Sequence, residues 1–503
     1  MRAAAGLGLL ALLVIAPLHY GSTRPGGIEW LLALGAPTVL LWAASLVVER
    51  RHPVVPAIFA GFAGLVLLAA VPWLTGLAQP TAIADFTREH FGRVAARWPD
   101  CLVWWNQWNQ LAFIGLLVAV MVMVVDFARR PTWLLAMVVT ITATGTAVAA
   151  LAHLQNALGW KTIFGEAGPP LMTYFSGTFY HHTAAGAYLN SVWPLAFGLA
   201  WLSWRAGWRQ GWTRGNTART AAGVFATGLL LTAHGAHVSR LPQAVAALCL
   251  IALILVLLPR YGVKVRLWST RRKLGVAFGL LALAGAAVLL VNTTGRIEKI
   301  ADRWRALLFP PANPTVPIWH QPPEAEWNAY VGGDLIIHAA SRERTFGLRQ
   351  IACEDAIAAI RTRPWFGHGP ANWIGAASRH STDPTVRSFF QMLQFTHQDV
   401  LQFAVEWGLI GALGWWGLLA GGAVRLLRLN FTGRTLGAIE IGVFFALVGV
   451  LLQSQWDFPL QMPGIALNIA VLAGIAWSAQ RSATAGVDSA ATFAPFQSTR
   501  SHA

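Results

Sequence analysis

Charged side chains are scarce in this sequence. They make up 12% of its 503 residues, whereas soluble domains carry about a quarter. Also missing is any polar stretch long enough to fold as a separate soluble domain of ordinary size. Because 55% of the residues are hydrophobic, this shortage excludes an ordinary soluble protein and indicates a single membrane domain.

Acidic residues are the rarer charged type, with 21 Asp and Glu against 37 Lys and Arg and a formal net charge of +16. An excess of positive charge can indicate nucleic-acid binding. Here the basic residues gather instead in alternate connections between apolar segments, which is the bias that orients helices in membranes. The clusters lie at 50–51, 129–130, 205–219, 260–273 and 425–434. We therefore expect no nucleic-acid partner.

Cysteine is rare, and the three cysteines show neither a metal-ligand spacing nor a disulfide framework. The adjacent His181 and His182 are a weak metal signal, because no further ligands follow at a suitable spacing. We expect no metal and no cofactor. Cys101 and Cys353 fall on the same side of the topology given below, so the sequence leaves a bridge between them open.

Long apolar runs are what the sequence has in abundance. About twelve reach the roughly 20 residues that a helix needs to cross a bilayer. The predicted spans are 4–20, 28–48, 54–75, 109–127, 131–152, 183–203, 218–235, 242–258, 274–292, 398–422, 436–454 and 462–479. The predicted fold class is therefore all-α, in the form of a polytopic integral membrane protein.

The basic clusters give these helices a predicted orientation. When every cluster lies in the cytoplasm, both termini do as well. The connection at about 293–396, between helices 9 and 10, then forms one large exterior lobe. We predict a membrane domain over 1–480 that includes this lobe, and a disordered cytoplasmic tail at 481–503.

Polar residues stand at the start of the tenth predicted helix, in THQDVLQFAVEWGLIG (396–411). Thr396 and Asp399 have the spacing of a capping box. At about 100° per residue, Asp399, Gln402 and Glu406 share one helix face. Such a stripe costs several kcal/mol against hydrocarbon, so it should face protein or a watery cavity.

Three further residues are candidates for chemistry, each with a plainer interpretation beside it. His397, in the first turn of this helix, should be a neutral imidazole able to accept a proton, or it is merely interfacial. Arg240, in the short turn GAHVSRLPQ, either snorkels to lipid headgroups or binds an anion as a bidentate fork. Arg349 begins an amphipathic helix that ends at Pro364, and is either a solvated charge or directed to the membrane.

Five segments, in one order along the chain, resemble the O-antigen ligase and polymerase superfamily of membrane glycosyltransferases. GTFYHHTAAGAYL (177–189) resembles the family's GTF-x-N-x-N segment, with His181 and Thr183 in place of the Asn pair. VSR (238–240) resembles its SR turn, and RPWFGHGPANW (363–373) its P-x-x-G-x-G segment. HQDVLQFAVEWGLIG (397–411) is similar to the HN-x-x-L-x-x-x-x-E-x-G signature, and WDFPLQMPG (456–464) to the turn before the last helix.

The resemblance implies glycosyl transfer without metal or nucleotide. The donor would be a glycan on undecaprenyl diphosphate at the outer face of the inner membrane, and the acceptor a hydroxyl of a glycan or glycolipid. Carried over by position, Arg240 and Arg349 would neutralise the diphosphate, and His397 would be the catalytic base of an inverting reaction. Supporting polar residues would be Asp399, Gln402, Glu406, His181 and Ser239.

Several alternatives remain open at this stage. A polymerase that joins lipid-linked repeat units would use similar groups, as would a protein O-oligosaccharyltransferase. Outside this class, a lipid or polysaccharide transporter would also have many helices and interior polar residues. A transporter more often has a repeat between its halves and broken mid-membrane helices. Because no repeat is visible and the polar residues cluster towards one face, the sequence favours the enzyme.

Overall fold

A computed structural model of the protein describes most of the chain. The described residues are 1–24, 26–74, 104–160, 162–167, 176–266, 296–308, 346–378, 395–430 and 437–479, with the isolated positions 270 and 292. Within them the structure has fourteen α-helices and one small two-stranded hairpin. The all-α prediction is therefore confirmed for this part of the chain.

The first eight helices cover the N-terminal half of the protein. They are α1 (Arg2–Leu18), α2 (Gly27–Val48), α3 (Ala57–Leu74), α4 (Trp104–Ala128), α5 (Pro131–Leu158), α6 (His182–Gln210), α7 (Arg214–His237) and α8 (Arg240–Arg266). Between α5 and α6, β1 (Thr162–Ile163) pairs antiparallel with β2 (Glu166–Ala167).

Six further helices follow. They are α9 (Arg296–Leu308), α10 (Phe346–Thr362), α11 (Trp373–Ser378), α12 (Asp399–Asn430), α13 (Gly437–Gln453) and α14 (Pro463–Ser478). A 3-10 turn at Pro459–Gln461 precedes α14. Helices α9 to α11 belong to the predicted exterior lobe, whereas the rest of that lobe and the predicted tail at 481–503 lie outside the described residues.

Eleven of the twelve predicted spans coincide with a helix, and the ninth, at 274–292, lies outside the described residues. Within the described residues, five helices are long and apolar enough to cross a membrane by length and composition. They are Gly27–Val48, Trp108–Ala128, Pro131–Leu158, Arg240–Leu257 and Asp399–Arg428. Helix α6 has the length but not the uniform apolarity. Most of its first half is buried against other helices.

One end of the bundle is tied together by buried charge. Arg2, at the start of α1, and Arg51, just after α2, both reach Asp126 near the end of α4, at 3.0 and 3.4 Å. The Trp42 indole N–H also donates to this carboxylate, over 3.2 Å. We call this the Arg2 end. The alternation of helix direction that the sequence predicts requires these three helix termini to meet.

The opposite end, which we call the His397 end, gathers the connections at 19–24, 176–181, 238–239, 395–398 and 454–462. Contacts between distant segments hold these connections together. The Thr178 hydroxyl donates to the carbonyl oxygen of Pro17, and Arg24 Nε donates to the Tyr180 hydroxyl, both over 2.7 Å. Helix α9 also lies near this end, because the Trp304 indole N–H donates to Gln243 of α8 over 3.0 Å.

Helices α6 and α13 pack closely along their length and lie side by side at the His397 end. A Cβ atom added at Gly198 would lie 2.7 Å from the carbonyl oxygen of Ala438, and one added at Gly442 would lie 2.6 Å from that of Pro194. The two backbones are therefore in direct contact, as small residues allow between membrane helices. The start of α6 and the end of α13 consequently reach the His397 end next to each other.

Candidate active site

His397 lies in the turn immediately before α12, with its backbone in the left-handed region at φ 58°. Hydrogen bonds on both sides hold this uncommon conformation. The Thr396 N–H donates to Gln402 Oε1 over 2.9 Å, and the Thr396 hydroxyl donates to the Gln398 carbonyl over 2.6 Å. The histidine is therefore displayed by a tight turn, rather than by the first helical turn that the sequence predicted.

The Asp399 carboxylate ties the start of α12 to the turn between α13 and α14. Its Oδ2 accepts from the Ser454 hydroxyl at 2.9 Å and from the Leu460 N–H at 3.0 Å, and its Oδ1 accepts from the Gln461 amide at 3.1 Å. The predicted capping box of Thr396 and Asp399 is wrong. The carboxylate satisfies the donors of a distant segment instead of the first turn of its own helix.

The ring of Phe458, in the turn that Asp399 holds, contacts two histidines. The His397 ring lies 4.6 Å from it between centroids, nearly perpendicular at 85°, and the His181 ring lies 5.5 Å from it. His181 immediately precedes α6, and its Nδ1 is 2.7 Å from the Thr183 hydroxyl. The structure thus brings His181 and His397 to one aromatic ring.

Gln453, the last residue of α13, connects this group to the start of α8. Its amide donates to the carbonyl oxygen of Thr183 over 3.0 Å and accepts from the Asn190 amide over 3.2 Å. The Asn190 amide also donates to the carbonyl oxygen of Pro242 over 3.1 Å. Because Pro242 is in the first turn of α8, which begins at Arg240, Arg240 lies at the same end as His181 and His397.

Buried polar residues precede Arg240. Ser239 is buried, as are His234 and His237 in the last turn of α7, whose ring centroids are 5.2 Å apart. Among the described residues, the ring nitrogens of these two histidines have no hydrogen-bond partner. The sequence analysis did not single them out, although their spacing of three residues in AHGAH puts both imidazoles on one helix face.

Arg349 lies in the first turn of α10, and nothing of its side chain belongs to the described part of the structure. Its helix, however, reaches the His397 turn, because the Cys353 thiol lies 3.7 Å from Gln398 Oε1. Arg349 precedes Cys353 by one helical turn and therefore shares its face. The helix position is thus compatible with the predicted role. Cys101 lies outside the described residues, so the bridge to Cys353 that the sequence left open is not tested.

The polar stripe on α12 faces protein. Asp399, Gln402 and Glu406 are all at most 3% exposed. The Gln402 amide donates to Glu406 Oε1 over 2.7 Å, and the backbone of Ala371 and Trp373 supplies further hydrogen bonds to the Glu406 carboxylate. The sequence allowed this stripe to face either protein or a watery cavity, and in the structure it faces protein.

Helix α12 is broken where the loop after α10 crosses it. Gly408 has φ 66° and ψ −178°, which is not helical. The loop fills the break, since the His368 N–H donates to the Val405 carbonyl over 2.8 Å and the Leu409 N–H donates to the Pro364 carbonyl over 2.7 Å. Two of the segments that carry the sequence resemblance therefore interlock through their backbones.

Metal ligation has little support in the described part of the chain. Within those residues, no group of three or more His, Cys, Asp or Glu side chains could hold a metal ion. His181 and His182 stack on each other at 5.0 Å between ring centroids.

An all-helical bundle with several membrane-length helices, and with histidines and an arginine gathered at one end, defines a membrane protein with a polar site near one surface. Residues 218–416 match the family model described as O-Antigen ligase, and the chain carries an O-antigen ligase domain over these residues. A search of the curated proteins gives no match. At the family level this domain indicates a membrane enzyme that transfers glycans from lipid-linked substrates.

The matched residues include α7, α8, the loop that crosses α12 and the break in α12. They contain Arg240, Arg349 and His397 but neither His181 nor Phe458. His181 lies immediately before α6 and Phe458 lies in the turn before α14. Both join the site through the contacts described above. The sequence resemblance had included both segments.

Proposed function

We propose that this protein transfers a glycan from a polyprenyl-diphosphate-linked donor to an acceptor hydroxyl at the outer face of the inner membrane, without metal and with inversion. The observation that carries the proposal is the convergence of His397, His181 and Arg240 at one end of the bundle, partly within an O-antigen ligase domain. Undecaprenyl diphosphate is the carrier that the family resemblance implies.

His397 acts as the general base in this proposal. The acceptor oxygen attacks the anomeric carbon of the donor sugar while its proton passes to the imidazole, and the bond from that carbon to the diphosphate oxygen breaks. A positioned base typically contributes ~10²–10⁴-fold to such a step. The hydrogen-bonded turn that contains His397 supports this role, because it fixes the backbone of the half-buried histidine at this end of the bundle.

Arg240 and Arg349 neutralise the departing diphosphate. Negative charge develops on its oxygens as the sugar leaves, so guanidinium groups stabilise the transition state more than the bound donor. A guanidinium can also meet two phosphate oxygens at once. The location of Arg240 in the first turn of α8, hydrogen-bonded through Pro242 to the α6 and α13 ends, supports its share of this role.

The proposed membrane arrangement is that of the sequence analysis, with about twelve spans, both termini in the cytoplasm and the His397 end in the periplasm. The Arg2 end would then face the cytoplasm. Membrane lipids surround the bundle, and a glycan or glycolipid acceptor reaches the His397 end from the periplasm. Supporting polar residues, including Asp399, Gln402, Glu406 and Ser239, act by holding the segments of this end together.

The break at Gly408 is the feature that could favour a transporter, since broken helices line the central sites of transporters. Here the break is at Gly408, the tenth of the 32 residues of α12 and about a third of the way along the helix. The loop after α10 makes backbone hydrogen bonds to residues on both sides of the break. This arrangement favours the enzyme. The match to O-Antigen ligase supports ligase- or polymerase-type glycan transfer at the family level, so polymerase and protein O-oligosaccharyltransferase stay the alternatives to the proposed ligase.

The test is to delete the gene and complement it with wild type or with His397→Ala. We expect deletion to shorten or remove one exterior glycan and to accumulate its lipid-linked precursor. His397→Ala should insert normally, as judged by membrane fractionation, yet fail to restore the glycan. Full restoration of the glycan by this variant would exclude His397 as the general base. An unchanged glycan profile after deletion would exclude the proposed transferase function.

A further inference from the structure

Phe458 is the side chain on which three rings of the His397 end meet. It is buried, and it contacts the rings of His397, His181 and Phe395 at 4.6, 5.5 and 4.9 Å between centroids. The Phe395 ring stacks on it nearly parallel, whereas the His397 ring stands perpendicular at 85°. Its surroundings therefore distinguish an aromatic side chain from an aliphatic one of similar size.

The backbone around Phe458 is fixed to the start of α12. The Asp399 N–H donates to the carbonyl oxygen of Asp457 over 3.1 Å, and the Asp399 carboxylate accepts from the Leu460 N–H over 3.0 Å. Phe458 itself accepts a hydrogen bond from the Gln461 N–H over 3.1 Å. Because Asp399 is only two residues after His397, the aromatic ring and the histidine belong to one hydrogen-bonded unit.

The hydrogen bonds of Thr396 fix the backbone of the turn around His397, and the Phe458 ring packs nearly perpendicular to the His397 imidazole. Within the described part of the chain, Phe458 is an aromatic residue whose ring contacts the His397 imidazole. A catalytic group must be held near the productive geometry by the packing of its neighbours. A displacement of about 1 Å can lower the rate by about 10²-fold.

We propose that Phe458 is a positioning residue that orients the His397 imidazole towards the acceptor hydroxyl and, through its second contact, holds His181 beside the same acceptor. This inference rests on the proposed function. Phe458 makes no contact with substrate in this role and acts only through the two imidazoles. It also lies outside the residues that match the O-antigen ligase family model.

The test compares Phe458→Leu, which removes the ring, with Phe458→Tyr, which keeps it. Phe403→Leu is the matched control, because Phe403 is also buried near the start of α12 but stacks on Trp415, at 4.9 Å. Purified variants would be assayed with lipid-linked donor and acceptor membranes from the deletion strain. The readouts are kcat, KM for the donor, the pH profile of kcat and the melting temperature.

For Phe458→Leu we expect kcat to fall by about 10- to 100-fold with a donor KM within about twofold, and the pH profile to shift. Phe458→Tyr should keep most of kcat, and Phe403→Leu should change the melting temperature without changing the pH profile. If Phe458→Leu does not fold, Phe458→Met takes its place with the same expectation.

Two results would overturn the inference. One is a wild-type kcat and a wild-type pH profile in a folded variant that lacks the ring, Phe458→Leu or Phe458→Met. The other is an equal loss of kcat in Phe403→Leu, which would make the effect one of general packing. His397→Ala, measured in parallel, separates the two proposals. If His397→Ala retains transfer, His397 is not the general base and the proposed function fails. If His397→Ala loses transfer but Phe458→Leu keeps it, only the role of Phe458 is excluded.

Discussion

Gly369 donates its backbone N–H to the carbonyl oxygen of Glu406 over 2.8 Å, so the loop after α10 bonds to α12 at the point where the helix stops bonding to itself. A Cβ atom added at Gly367 would lie 2.6 Å from the Glu406 carbonyl oxygen, and one at Gly408 would lie 2.3 Å from that of Trp365. The glycines are therefore required by the closeness of two backbones.

Gly408→Ala should disrupt this crossing. The residue has φ 66° and ψ −178°, a conformation that is essentially limited to glycine, and the new methyl group would collide with the backbone of Trp365. We expect a loss of about 2 kcal/mol or more in the free energy of unfolding, together with loss of transfer.

Gly417→Ala is the control for this change, since an added Cβ there meets only Ile58, at 3.7 Å, an ordinary contact. Thermal unfolding in detergent would compare the two variants. Equal melting temperatures for Gly408→Ala and the wild type would mean that the crossing tolerates a side chain and that the break has been misjudged.

Arg240→Lys should lower kcat/KM by about 10- to 100-fold, because a lysine keeps the charge but cannot meet two phosphate oxygens as a fork. The measurement is the rate of transfer from lipid-linked donor at several donor concentrations. Arg428→Lys, an exposed arginine at the opposite end of α12, is the control and should behave as wild type. Wild-type kinetics in Arg240→Lys would mean that this arginine only snorkels to lipid headgroups.

The helices of this protein could be predicted from the sequence because long apolar runs are a local property. The partners of polar residues could not. Thr396 and Asp399 have the spacing of a capping box, yet Asp399 bonds to Ser454, which is distant in sequence. Asn190 and Gln453 looked like isolated polar residues within apolar runs, and only the packing of α6 on α13 makes them partners.

Some residues of the candidate site could likewise be predicted from the sequence, and others could not. His397, Arg240 and His181 were predicted from motifs, and the structure gathers them at one end. Phe458 was not, because the segment WDFPLQMPG was noted for its resemblance as a whole and gave no reason to single out its phenylalanine. The break at Gly408 was missed as well, since EWGLIG reads as continuous helix unless the loop that replaces its hydrogen bonds is known.

Asp355→Asn should raise the stability of the protein near neutral pH. Asp355 lies in α10, where burial and the neighbouring Glu354 raise the pKa of its carboxyl from 3.8 to about 6. Between these two values the folded protein binds more protons than the unfolded chain, so the free energy of unfolding falls as the pH rises through this window. The full penalty is therefore present above about pH 6, and the neutral asparagine removes it.

The measurement is the melting temperature at about pH 7.5 and about pH 4, with a gain for Asp355→Asn expected only at the higher pH. Asp302→Asn in α9 is the control, because that carboxylate is partly exposed and pairs with Arg305 at 2.9 Å. A gain of equal size at both pH values would show that the effect is not one of protonation.

Asp126→Asn should destabilise the bundle without changing the chemistry at the His397 end. Arg2 is only 8% exposed and reaches Asp126 at 3.0 Å, so the substitution leaves a buried guanidinium with only its longer contact to Glu49, at 3.7 Å. Removing one partner of a buried ion pair costs about 3–5 kcal/mol. Glu49→Gln is the comparison within the same network, since the Glu49 side chain is 38% exposed, reaches Arg2 only at 3.7 Å and pairs with the part-exposed Arg51 at 2.8 Å, and an exposed pair contributes about 0–1 kcal/mol. Transfer per folded molecule, measured at a temperature where both variants are folded, should equal that of wild type in both, because the network lies at the Arg2 end. A melting temperature of Asp126→Asn no lower than that of Glu49→Gln would mean that the network does not hold the three helix termini together.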